Sequence, residues 1–187
     1  MLILKYISFL VLNFVVLFLS NSTLADQTDP RLDFFFRQLK VSSNYEKALD
    51  IEIRIWEIWM DHSNPWAKIS MNSGVEALNN YKFEKALRHF KLLTEKEPEF
   101  AEGWNKRATV LYLMGRYNES ERDVIQTLKL EPRHFGALSG LGLIRIALKN
   151  WSGAISALES ALKFNPHMSE VIKNLKYAKK KLKESMI

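Results

Sequence analysis

Along residues 67–168, apolar side chains recur every three or four positions, stop at a short polar break and start again, and this alternation repeats down the chain. In the middle stretch Trp104, Ala108, Leu111 and Tyr112 lie on one helical stripe, the run from Met114 to Asn118 interrupts it around Gly115, and Val124, Thr127 and Leu128 resume it. The pattern predicts two helices joined by a tight turn. Pro98, Pro132 and Pro166 stand 34 residues apart, which sets a period and divides the segment into units 67–100, 101–134 and 135–168. The eighth residue of each unit is small (Gly74, Ala108, Gly142) and the seventeenth aromatic (Phe83, Tyr117, Trp151). The twentieth is small again (Ala86, Ser120, Ala154) and the twenty-fourth apolar (Phe90, Val124, Leu158).

Small eighth and twentieth residues let the two axes of a pair approach, so Gly142 is expected to face Ala154, while the aromatic near the turn fills the open end. Proline ends the second helix because it offers no N–H and clashes with the preceding turn. A helix pair cannot bury both of its faces alone, so the units must stack. Gly136, Gly140 and Gly142 fall inside one helix, without the strand that a phosphate-binding turn requires, and read as small packing residues.

The flanks read as caps. In 26–66, Ser43-Asn44-Tyr45-Glu46 is a capping box, followed by a helix to Asp61 with Leu49, Ile53, Trp56 and Met60 on one stripe and Ile51, Ile55 and Ile58 beside it. So wide an apolar surface calls for cover on two sides, from the first unit and from a short helix around Leu32–Phe36. Residues 169–187 place Ile172, Leu175 and Leu182 at helical spacing with lysine on the other faces, which suits a solvated terminal helix.

The first 25 residues stand apart from this fold. Tyr6–Leu19 is almost wholly apolar over 14 residues, shorter than a bilayer span of roughly 20, and Thr-Leu-Ala precedes Asp26. That is the pattern of a secretory signal cleaved after Ala25. Counting from Leu2 lengthens the run to 18 residues and leaves an uncleaved inner-membrane anchor as the alternative. Without residues 1–25 the net charge falls from +6 to +5, most of it in Lys173, Lys176, Lys179, Lys180, Lys181 and Lys183. The body is close to neutral, so the basic balance describes a tail rather than a nucleic-acid face; the tail is either a solvated helix end or a weak contact for an anionic membrane.

The 34-residue period, the paired small positions, the aromatic at the turn and the terminal proline resemble the tetratricopeptide repeat family, as found in exported bacterial members with three consecutive repeats. The resemblance implies an all-α fold, a right-handed superhelical solenoid of antiparallel helix pairs with N- and C-terminal capping helices. Tyr45-Glu46-Lys47-Ala48 resembles a degenerate repeat's second helix. The first repeat departs from the pattern at Ser70 and Ser73. Arg107 and Arg145 stand where the family faces a partner helix; they are either snorkelling stems or buried ion-pair members that tie repeats together. In the family the first helices of successive repeats line a concave groove. Carried over, the groove holds Met71, Val75 and Leu78, then Asn105, Thr109 and Tyr112, then Ser139, Leu143 and Ile146, with Lys68, Asn79, Glu102 and Leu113 beside them. It lacks the lysine and asparagine set with which some members clamp a chaperone's terminal carboxylate.

Composition excludes more than it assigns. Cysteine is absent, which removes disulfides, thiolate zinc sites and cysteine nucleophiles, and the four histidines are scattered. No phosphate loop, zincin helix, nucleophile elbow or dinucleotide fingerprint is present. His134, after Pro132-Arg133, reads as a turn residue rather than a metal ligand. The expectation is a non-enzymatic scaffold without cofactor or metal, periplasmic in a bacterium, that binds a client peptide or helix in its groove. A membrane-tethered envelope assembly subunit is the alternative.

Overall fold

The computed structural model describes residues 26–186. The apolar run and the cleavage expected after Ala25 lie outside the described residues. Two helices, α1 (Arg31–Val41) and α2 (Tyr45–Met60), precede three antiparallel pairs: α3 (Pro65–Asn79) with α4 (Phe83–Lys96), α5 (Ala101–Leu113) with α6 (Tyr117–Leu130), and α7 (Phe135–Ala147) with α8 (Trp151–Phe164). A terminal helix, α9 (Ser169–Glu184), packs on α8 through Val171 and Ala178. Asn44 rather than Ser43 caps α2, accepting the Lys47 N–H. An asparagine serves there as well as a serine. The three intra-pair turns share one conformation, with the fifteenth residue of each unit in the left-handed region: Tyr81 (φ 57°), Gly115 (φ 73°) and Lys149 (φ 58°). Only Gly115 takes that conformation without a Cβ penalty.

The small positions act as the period implies, with one change of partner. Ser120 Oγ donates to Ala108 O at 2.7 Å, so the eighth and twentieth residues meet in the middle pair. In the outer pairs the twenty-fourth residue fills the space instead: a Cβ at Gly74 would overlap the Phe90 ring, and one at Gly142 would overlap Leu158. Gly142 therefore faces Leu158 before Ala154, because a long side chain leaning back along α8 reaches the glycine first. Arg107 binds Asp123 on α6 through two nitrogens and gives a third hydrogen bond to Thr94 Oγ1 on α4. Arg145 on α7 pairs with Glu121 on α6 at 2.9 Å. Both arginines thus tie neighbouring repeats together.

The largest departure from expectation is where the N-terminal helices dock. They do not stack on the first pair; they run as a strap along the edge formed by the inter-repeat loops. Gln27, just ahead of α1, donates to Glu99 O; Asp33 on α1 pairs with Arg133; Glu52 on α2 accepts from Asn165. These contacts reach the loop at the end of each of the three pairs. Leu32, Phe36 and Leu39 of α1 and Ile51, Ile55, Ile58 and Trp59 of α2 form one cluster with Phe135, against which Phe164 and Met168 pack. The apolar surface of α2 finds cover on two sides, but the third pair replaces the first. Leu49 and Ile53, expected on the buried stripe, are exposed.

Candidate peptide-binding groove

The wall between α5 and α7 encloses a hollow of about 220 Å³ lined by Asn105, Thr109, Tyr112, Ser139 and Leu143, with Ala108, Val124, Gly136, Gly140 and Ile144 among the residues that complete it. Five groove positions named from the sequence thus converge on one space. The helical period sets this arrangement: Asn105, Thr109 and Tyr112 recur at four and three residues along α5, and Ser139 and Leu143 at four along α7. Thr109 is exposed, and its hydroxyl donates to Asn105 O at 3.0 Å. Tyr112 is half-buried with its ring 5.5 Å from that of Tyr117; burial pushes its hydroxyl pKa up, and Tyr117 adds to the effect.

Four groove positions do not reach the hollow. Met71 is 1% exposed inside the α3–α4 core with Ala67, Phe90 and Val110, so its thioether packs the solenoid instead of lining a surface. Val75 and Leu78 are half-buried against that core. Ile146 packs toward α8 and α9 with Leu158 and Val171. Asn105 does line the hollow but is only 7% exposed, and its Nδ2 donates to Glu102 Oε2 at 2.9 Å. Lys68 is exposed and paired with Asp61. In the tail, Lys173, Lys179, Lys180 and Lys181 pair with Glu170, Glu159 or Glu184, which leaves Lys176 and Lys183 outside any ion pair among the described residues.

Behind the hollow sits a buried polar group that the sequence reading missed. Glu102 is 1% exposed and meets Lys106 Nζ at 3.1 Å, His134 Nε2 at 2.8 Å and the Asn105 amide. His134 Nδ1 accepts the Ala137 N–H and caps α7, so the ring proton sits on Nε2 and is donated to Glu102. Burial drives the Glu102 carboxyl up, but Lys106 and His134 outweigh it and hold the pKa below the usual glutamate value. The Trp59 ring stacks on His134 at 4.0 Å, and Trp56 lies under Lys106 and against Gly136. His134 is a turn residue, as its sequence position implies, and also the joint between strap and repeats. The spacing Glu102-x-x-x-Lys106, with a histidine 32 residues on, was the available signal.

No model of a known protein family matches the chain. A TPR repeat-containing protein of Rhizobium etli is 35% identical over 128 residues, 65% of this chain and 63% of that protein. The repeat period, the helix pairs and this relative agree. The chain has the tetratricopeptide-repeat fold and resembles these proteins in sequence. It spans somewhat less than two thirds of the Rhizobium protein's length. Among solved tetratricopeptide folds, the TPR2B domain of yeast Sti1 in its pHsp70 complex superposes with TM-score 0.60 at 20% identity, covering 63% of this chain and 98% of that one. The first TPR domain of RPAP3 bound to an HSP90 peptide gives 0.61 at 20% identity, over 62% and 92%. At these identities the tetratricopeptide likeness concerns the fold.

Proposed function

We propose that the protein is a non-enzymatic scaffold that holds a peptide or a helix of a client protein in the groove between α5 and α7. The hollow carries this reading: two successive repeats bring an apolar floor and a rim of amide and hydroxyl groups to one concave space, the mix by which protein surfaces take a peptide. The Sti1 domain in its pHsp70 complex and the RPAP3 domain bound to an HSP90 peptide support it by fold. The groove residues lack the lysine and asparagine set of a carboxylate clamp, so we do not propose a chaperone's carboxyl terminus as the client.

Export to a bacterial periplasm is part of the proposal and rests on the apolar run before Asp26. The mature chain should begin at Asp26 by intact mass; residues 1–25 retained in a salt-resistant membrane fraction would favour the tethered assembly subunit. For the groove, mild crosslinking followed by pull-down and mass spectrometry should recover a client with crosslinks on α5 and α7. Crosslinks confined to α9 would move the site to the lysine-rich tail.

A further inference from the structure

We propose that the hollow at Gly140 is a seat for one aromatic side chain of the client, and that Gly140 is the residue that selects it. The inference rests on the groove reading above and adds the chemistry of the occupant.

Glycine inside a helix costs about 1 kcal/mol relative to alanine, so an interior glycine calls for a reason. On α7, Gly142 has one in Leu158 and Gly136 has one in Trp56, whose ring would lie 2.5 Å from an added Cβ. Gly140 has none: a Cβ there meets nothing within 4 Å. Its missing side chain opens the hollow instead of admitting a neighbour, which corrects its reading as a packing glycine. Gly136, one turn earlier on the same face, already shows a filled seat, with the edge of an indole set against glycine backbone and the Lys106 ammonium 5.4 Å from the ring centroid. Because Gly136 lines the hollow as well, the open seat continues the interface that α2 makes with α7.

Size and polarity narrow the occupant. About 220 Å³ is below the roughly 300–1,000 Å³ of small-molecule sites and suits a single large side chain. The Tyr112 ring on the rim offers a partner for edge-to-face packing, which favours an aromatic over an aliphatic side chain. Asn105 supplies an independent sign. It is more than nine-tenths buried, and the Glu102 carboxylate, which only accepts, fixes the orientation of its amide. No hydrogen bond reaches its Oδ1 among the described residues, and Asn105 lines the hollow, so that oxygen is available to accept a backbone N–H beside the seated ring.

The test is a random peptide library displayed on phage and selected against the full chain. Selected peptides should share one Trp, Phe or Tyr, and changing that residue to Ala should weaken binding about tenfold or more. Gly140→Leu should fill the seat and weaken the unmodified peptide by a similar factor, while the Ala peptide should bind wild type and Gly140→Leu alike, so that the two changes are coupled. Thermal melts guard against misfolding, since Gly140→Leu and the milder Gly140→Ala should melt at or above wild type. Peptides that lose affinity with Tyr112→Ala but lack a shared aromatic, or ignore Gly140→Leu, would overturn the seat and leave the groove standing. Peptides indifferent to both Tyr112→Ala and Gly140→Leu would overturn the seat and the groove together.

Discussion

The two ends of the α5–α7 wall hold opposite contents. At the N-terminal end of α7 every space is taken: Trp56 covers Gly136, Trp59 stacks on His134, and Glu102 is enclosed by Lys106, His134 and Asn105. One turn further on, Gly140 faces open space and the Tyr112 hydroxyl finds no partner among the described residues. The same helix, with glycines four residues apart, therefore separates a filled end from an open one. At the filled end Glu102 is buried against Lys106, His134 and Asn105, whereas the Tyr112 hydroxyl sits beside an unfilled apolar floor.

The filled end should be the more fragile. Glu102→Ala leaves Lys106 and His134 facing each other without their carboxylate, and should cost about 3 kcal/mol by chemical denaturation, the low end for a broken buried pair because Lys106 reaches water. The same carboxylate sets an acid limit. Its folded pKa lies below its unfolded value, so its stabilisation is complete above the ordinary glutamate range near about 4.3 and is lost as pH falls through the folded value. The melting temperature of wild type should therefore drop more steeply on acidification than that of Glu102→Gln. Equal slopes would mean that the pair adds nothing to the fold.

Trp59 sharpens the contrast between ring and polar atom. Its Nε1 is buried without a partner, so the strap gains from its stacked ring and not from its N–H. Trp59→Ala should cost about 3 kcal/mol or more, whereas Trp59→Phe should recover most of that. Similar losses in both variants would place the energy elsewhere. Smaller again is Gly142→Leu, which should cost about 1–3 kcal/mol by overpacking against Leu158. The same substitution at Gly140 should leave the melt unchanged or raised. If Gly142→Leu were as stable as wild type, the assignment of the eighth position as a close contact would fail.

The helix pairs were legible because local rules agree there: proline stops, small eighth residues and an aromatic at the turn all repeat at one period. The docking of α1 and α2 was not. Periodicity reports that a helix must bury surface, and for α2 the Ile51, Ile55 and Ile58 face is buried while Leu49 and Ile53 are not, but it carries no address for the cover. Chain order pointed to the first pair, and Trp56 and Trp59 chose the third. The groove positions came from a family register, which places Cα atoms and not side-chain depth. That is why Asn105, Thr109, Tyr112, Ser139 and Leu143 converge while Met71 lies in the core of the first pair. Glu102 read as one more solvated helix carboxylate, because neither Lys106 nor His134 reveals from sequence that both turn inward on it.

The affinity of Tyr112→Ala for the client recovered by crosslinking tests the groove most directly. Tyr112 is half-buried at the rim of the hollow and takes part in no hydrogen bond that the fold would lose among the described residues. An aromatic at the centre of an interface commonly carries ~2 kcal/mol or more. Titration calorimetry with the purified client should therefore show a loss of about thirtyfold in affinity, corresponding to that energy, while circular dichroism shows a helical protein with a near-unchanged melt. Full affinity in Tyr112→Ala, with the fold intact, would contradict the account and direct attention to the basic face of α9.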